Sequence, residues 1–213
     1  TIFRITTWGE SHGAGVGVVI DGCPAGLPLS EEDIQKYLNR RKPGQSKFTT
    51  QRKESDQAEI LSGVFEGHTT GTPISILVRN QDQKSHDDSN IMNTYRPGHA
   101  DYTFDAKYGF RDYRGGGRSS GRETIGRVAA GAVACKILES LGIQVMAYTK
   151  SIGPISIPEQ DYDYSVITDN TLYMPNNQYA EKASAYLEEC IRSQDSSGGI
   201  IECRVDHMPA GIG

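Results

Sequence analysis

The sequence predicts an α+β fold, and three observations carry that prediction. Short apolar segments of strand length recur along the chain. Two longer segments, 122–141 and 178–192, repeat apolar residues at helical spacing. A strand-then-turn motif also occurs twice, which points to two related halves.

In chain order, 2–7 and 15–20 (GVGVVI) read as strands. Ser30 followed by Asp33 resembles a capping box. Ile34, Tyr37, Leu38 and Arg41 then follow at helical spacing, so the basic run from Arg40 begins at a helix C-terminus. Residues 59–65 and 73–78 (PISILV) are further strands. Segments 42–57 and 80–119 are polar, glycine-rich and turn-prone, and long loops in a compact domain are commonly functional. The helix over 122–141 places Ile125, Val128, Ala129, Ala132, Val133 and Leu138 on a buried face and stops at Gly142. A strand at 143–149 follows. The helix over 178–192 carries Tyr179, Ala183, Tyr186, Leu187, Cys190 and Ile191, and a last strand spans 199–206.

The repeated motif is Ile20-Asp21-Gly22-Cys23-Pro24-Ala25-Gly26, echoed by Val205-Asp206-His207-Met208-Pro209-Ala210-Gly211. Each copy ends a strand and turns at Pro-Ala-Gly. The first copy leads on into the capped helix and the second stops at Gly213, so the reading expects a second half cut short and an intact protein that continues past it. The chain also begins at Thr1 without a methionine, which predicts at least one missing or processed residue.

The 213 residues carry a net charge of −5, which argues against a general polyanion binder. Basic residues gather in 40–53 and 96–127, a distribution suited to a small anionic ligand. The sequence has no apolar run of membrane-spanning length and no signal-peptide pattern, so a cytoplasmic protein is expected. Cys23, Cys135, Cys190 and Cys203 are scattered, as expected of thiols rather than disulfides.

The richest segment for chemistry is 96–127, RPGHADYTFDAKYGFRDYRGGGRSSGRETIGR, with six arginines and seven glycines. Arginine forks bind phosphate and carboxylate, and glycines let the backbone approach a ligand. Its Gly115-Gly116-Gly117-Arg118-Ser119-Ser120-Gly121-Arg122 block enters a helix and reads as a phosphate cradle, although it is neither a P-loop nor a Rossmann turn. His12, in Gly9-Glu10-Ser11-His12-Gly13, is exposed by flanking glycines and suits a general acid; a histidine satisfied in a strand-end turn is the alternative. His99 follows a Pro97-Gly98 turn beside Arg96, and a loop histidine without a role is its alternative. His68, His86 and His207 have no comparable surroundings. No histidine pair has metal-ligand spacing, so no metal site is expected. Arg40, Arg41, Lys42, Lys47, Arg52 and Lys53 form a second basic run that in isolation reads as a solvated face.

GESHG at 9–13, RRKPG at 40–44, RPGHADYT at 96–103, KYGFRDYRGGGRSSGRET at 107–124 and RVAAGAVA at 127–134 together resemble chorismate synthases in wording, order and spacing. The resemblance covers essentially the whole chain. It implies a β-α-β sandwich, with helices between two antiparallel sheets and a pseudo-duplicated topology, forming a single domain over 1–213 that is incomplete at its C-terminus. It implies a lyase that converts 5-enolpyruvylshikimate 3-phosphate into chorismate by anti-1,4 elimination, the last common step toward the aromatic amino acids. The cofactor implied is reduced FMN, which donates an electron transiently and accepts the ring proton at N5. NADPH or an external reductase supplies its electrons. His12 is implied as the acid near the leaving phosphate, and His99 as the histidine that sets the flavin's protonation state. Arg118, Ser119 and Ser120 match the FMN-contact segment. Ser11, Arg41, Lys47, Arg96 and Arg122 match substrate-binding positions. Lys47 stands where many members carry arginine, which loses the bidentate fork, and Gly121 stands where alanine is usual. Members are homotetramers and continue well beyond the position of Gly213, so this piece alone is expected to be inactive.

Two rivals remain from other classes. An arginine–glycine RNA-binding segment would use Tyr102, Tyr108 and Tyr113 for stacking, but the net charge and the two histidine turns argue against nucleic acid. A flavodoxin-like protein lacks support because the expected phosphate loop after the first strand is missing.

Overall fold

The computed structural model describes residues 2–48, 54–81, 92–114 and 116–212. His86, Arg52, Lys53 and Gly115 lie outside the described residues. The chain divides into two compact units, Thr1–Gln45 with Thr49–Ile137, and Ser46–Phe48 with Leu138–Gly213. The architecture is α+β, with helices packed on antiparallel sheets.

The first unit is built on a four-stranded antiparallel sheet of order β1-β2-β6-β3. Its strands are β1 (Arg4–Gly9), β2 (Gly15–Asp21), β3 (Ala58–Ser62) and β6 (Ile74–Arg79). Val16, Val18 and Ile20 of β2 and Ile74, Ile76 and Val78 of β6 alternate onto one face. That face packs against helices α1 (Glu31–Arg41), through Ile34 and Leu38, and α3 (Thr124–Ser140), through Ile125, Ala129 and Val133. The helix predicted from Ser30 forms with both arms of its capping box: Asp33 accepts from the Ser30 N–H at 3.0 Å, and Ser30 caps the N3 backbone in return.

Strand register sets the place of the site. Gly9 pairs with Val16, and Gly15 pairs with Arg79, so the turn over residues 10–14 and the residue after β6, Asn80, meet at one end of the sheet. Gly9 is required there. Its φ is +89°, and a Cβ would lie 2.2 Å from the Gly15 carbonyl oxygen.

The structure departs from the sequence reading at two places. The strand predicted over 59–65 is divided: β3 ends at Ser62 after an irregularity in its pairing with β6, and Val64–Phe65 (β4) pairs with His68–Thr69 (β5) as a separate hairpin. Glu66 and Gly67 both take positive φ, the geometry of a tight primed turn. The segment read as loop over 80–119 contains α2 (Asp101–Tyr108), capped by Gly109 at φ 72°. No apolar stripe announces this eight-residue helix, because its single buried side chain is Asp101.

The second unit holds a three-stranded antiparallel sheet of order β8-β7-β9, from Ile155–Ser156, Gln144–Ile152 and Gly199–Asp206. Helix α4 (Asn177–Arg192) begins at Asn176, whose carboxamide oxygen accepts from Gln178 N–H (3.0 Å) and Tyr179 N–H (3.2 Å). Ala180 and Ala183 pack with Ile157 and Met174.

The repeated motif has the same backbone in both units. β2 ends at Asp21 and β9 at Asp206. Gly22 (φ 77°) matches His207 (φ 61°), and Gly26 (φ 82°) matches Gly211 (φ 86°).

Candidate active site

The turn after β1 carries Glu10, Ser11 and His12. Ser11 is buried, and its Oγ lies 3.2 Å from His12 Nδ1, which leaves Nε2 as the other ring nitrogen. Asn80 braces the turn: its Nδ2 donates to the carbonyls of Glu10 (2.9 Å) and Gly13 (2.8 Å), and its backbone N–H donates to Ala14 (3.1 Å).

Behind the turn lies a charged cluster that the sequence reading did not assemble. Asp56 is fully buried, with a positive φ of 47°. One oxygen accepts from Arg41 Nη1 at 2.9 Å and the other from Arg122 Nη1 at 3.0 Å. Arg122 is 5 % exposed; its Nε donates to Asn80 Oδ1 (3.0 Å), and its buried Nη2 has no hydrogen-bond partner among the described residues. Glu54 Oε2 stands 3.9 Å away, beyond hydrogen-bond reach. Burial lowers the proton affinity of Arg41, and the nearby Arg122 charge adds to this, while Asp56 opposes it. Two cations therefore share one carboxylate, and Arg122 Nη2, 3.9 Å from the Glu54 carboxylate, has no hydrogen bond among the described residues. A buried donor in that state invites an anion.

The glycine-rich block makes a second wall. Arg118 does not point freely outward. Nη1 donates to the Gly9 carbonyl (2.9 Å), Nη2 to Thr7 Oγ1 (2.8 Å), and Glu123 is 3.4 Å away. Ser119 Oγ donates to the Gly116 carbonyl (2.7 Å), and Ser120 Oγ accepts from Arg122 N–H (3.3 Å), opening the turn that leads into α3. Gly117, at φ 50°, makes room for a neighbour: a Cβ there would lie 2.9 Å from Glu10 Oε2. That oxygen is itself buried without a hydrogen-bond partner among the described residues. Burial pushes the Glu10 carboxyl up; Arg118 opposes the shift and Asp112 adds to it. Glu10, Arg118, Gly116 and Gly117 line a cavity of about 380 Å³ together with the aromatic rings of Phe104, Tyr108 and Phe110. A planar ring bearing a hydrogen-bond donor suits those walls.

The remaining predicted residues are placed as follows. Arg96 grips Asp101 through Nε and Nη2, both at 2.9 Å, and these hydrogen bonds hold the Asp101 carboxyl far below the usual carboxylate range. A Cβ on Gly116 would lie 4.0 Å from Arg96 Nη2, so this arginine stands beside the glycine block. His99 is exposed, with Nδ1 3.1 Å from the Pro97 carbonyl, a contact that needs the proton on Nδ1. Lys47 belongs to the second unit, where it pairs with Glu188 of α4. Asp56, Asn80 and Glu10 are the residues that sequence reasoning missed. Asp and Glu in a polar segment carry no local signal, and their partners lie far away in sequence, 66 positions for Asp56 and Arg122.

Comparison with known proteins decides the family. The family model described as chorismate synthase matches residues 3–213. The chain belongs to the chorismate synthase family. It is 66 % identical over its whole length to the chorismate synthase of Agathobacter rectalis and 64 % identical to that of Lachnoclostridium phytofermentans. It is 54 % identical to that of Chloroflexus aurantiacus. A crystal structure of chorismate synthase superposes with a TM-score of 0.79 at 33 % identity, covering 98 % of this chain and 60 % of that one. The chain spans 58 % of the length of these curated relatives. Among the described residues, no helix is long and apolar enough to cross a membrane, and no group of histidine, cysteine and carboxylate side chains could hold a metal ion.

Proposed function

We propose that the intact protein of which this chain forms part converts 5-enolpyruvylshikimate 3-phosphate into chorismate and phosphate by anti-1,4 elimination, with reduced FMN as cofactor. Membership of the chorismate synthase family supports this reading. The single structural observation that carries it is Arg122: buried, fixed by Asp56 and by the Asn80 that braces the His12 turn, with an Nη2 that makes no hydrogen bond among the described residues.

In this reading Arg122 and Arg41 hold anionic groups of the substrate, and Asp56 keeps both guanidinium groups fixed before the substrate arrives. Fixed cations cost little reorganisation as charge develops on departing phosphate. His12 gives its proton from Nε2 to the phosphate oxygen, with Ser11 Oγ holding Nδ1. Arg96, oriented by Asp101 beside the glycine block, binds a further anionic group.

In this reading the cavity beside the glycine block takes the flavin ring; its aromatic walls and a buried carboxylate oxygen with no donor among the described residues support this. Ser119 and Ser120 directly follow the Gly116–Arg118 stretch that lines it, and Arg118 shapes it by tying the block to β1. Reduced FMN, when bound, supplies the electron density that lets phosphate leave an unactivated ring. His99, with Nδ1 held on Pro97, would use its remaining nitrogen, Nε2, to set the flavin's protonation state. NADPH or a separate reductase keeps the flavin reduced. The protein works as a cytoplasmic homotetramer on a small molecule, with no membrane or nucleic-acid partner. The arginines of the glycine-rich segment support that last point. Arg111, Arg114, Arg118 and Arg127 each lie against a carboxylate of this chain, which reduces the positive surface that an RNA backbone would need.

The test is an anaerobic assay of the intact protein with reduced FMN and 5-enolpyruvylshikimate 3-phosphate, following chorismate absorbance. Chorismate release is expected; well-folded protein that makes none refutes the reading.

A further inference from the structure

The turn carrying His12 takes much of its support from one side chain on another strand end. Gly13 N–H donates to the Glu10 carbonyl at 3.1 Å, and beyond that Asn80 spans the turn from outside. The orientation of the Asn80 carboxamide follows from its partners. Its Nδ2 faces the carbonyls of Glu10 and Gly13, which can only accept, and its Oδ1 faces Arg122 Nε, which can only donate. Arg122 is fixed in turn by Asp56. A continuous chain of hydrogen bonds therefore runs from Asp56 through Arg122 and Asn80 to the two ends of the His12 turn.

We propose that Asn80 is a positioning residue that couples the place of the His12 turn to the place of Arg122. The proposal rests on the reading above, in which His12 is the acid and Arg122 an anion holder. A carboxamide suits the task because one face donates twice while the other accepts. A carboxylate can serve Arg122 but repels both carbonyls, and an apolar side chain serves neither.

Two substitutions in the intact protein separate this role from a general structural one. Asn80→Asp keeps an acceptor for Arg122 and releases the turn. Its kcat is expected to fall about 10- to 100-fold, the scale of a misplaced catalytic group. KM for 5-enolpyruvylshikimate 3-phosphate should change much less than kcat. Asn80→Ala removes both halves of the coupling, so kcat and KM are expected to worsen together. Two readouts need no turnover. Backbone amide exchange across residues 10–14 should accelerate in both variants, and the imidazole nitrogen resonances of His12 should move while those of His99 stay. Unchanged exchange and an unmoved His12 signal in either folded variant overturn the inference. Should Asn80→Asp fail to fold, Asn80→Ala, which adds no buried charge, is judged by the same two readouts. If the unsubstituted protein makes no chorismate, the function reading fails, whereas exchange and the His12 signal still judge Asn80.

Discussion

The first unit contains two settings with the same three ingredients, a histidine, an arginine and an aspartate, and they are built in opposite ways. Around His12, the arginine and aspartate are Arg122 and Asp56, buried and separated by 66 positions in sequence. Around His99, they are Arg96 and Asp101, only five positions apart, in a turn that leaves the imidazole exposed. The first setting exists only when α3, β6 and the segment before β3 are assembled. The second is held by its own local chain. The chemistry that needs fixed charge in a dry site belongs where tertiary packing has already met the desolvation cost. Contact with a cofactor that arrives from solvent is compatible with a locally held, exposed histidine.

The largest expected effect breaks the buried setting. Asp56→Ala leaves Arg41 and Arg122 facing each other without their shared carboxylate, and about 3–5 kcal/mol of stability should be lost. Denaturant unfolding measures this, and a loss no greater than that of an exposed substitution would remove Asp56 from the centre of the cluster. In activity, His12→Ala should lower kcat by roughly 10²- to 10⁴-fold with folding retained. His99→Ala should also slow turnover, by the smaller part of that range, and wild-type rates in both would dissolve the contrast between them.

A smaller effect tests the local setting. Asp101→Asn should cost about 1–3 kcal/mol at neutral pH, since it breaks hydrogen bonds to a charged partner. The sign with pH is fixed by the depressed Asp101 carboxyl. Its contribution is present above the unfolded value of about 3.9 and is lost as pH falls below it. The stability gap between Asp101→Asn and the parent should therefore close in acid. A gap independent of pH between 2 and 7 would detach Asp101 from Arg96.

The smallest effect has the opposite sign. Burial raises the Glu10 carboxyl, so the folded state loses stability as pH rises through that range. Glu10→Gln should then stabilise the protein at neutral pH, by on the order of 1 kcal/mol or less, and make no difference well below pH 4. Equal stability at both pH values would mean that Glu10 has a donor in solution.

Much of this was legible in the linear chain. The apolar alternation of Val16, Val18 and Ile20 announced β2, the Ser30–Asp33 pair announced α1, and the Pro-Ala-Gly echo announced a repeated turn whose backbone the two units share. The motifs around His12, His99 and Arg118 pointed to the family for the same reason: they are contiguous, so their meaning survives in one dimension. What the tertiary structure alone decided is where the arginines spend their charge. The resemblance implies a cofactor contact for Arg118, and the structure adds that its guanidinium ties the glycine block to Thr7 and Gly9. Arg122 reads as one of six similar cations, yet it is buried and fixed between Asp56 and Asn80, the side chain that also braces the His12 turn. The carboxylate and the carboxamide that make it so, Asp56 and Asn80, come from distant segments with no pattern of their own. Local periodicity reports which face of a strand or helix is buried. The pairing of charges across 66 residues depends on how the sheet and helices meet, and that information exists only once the chain has folded.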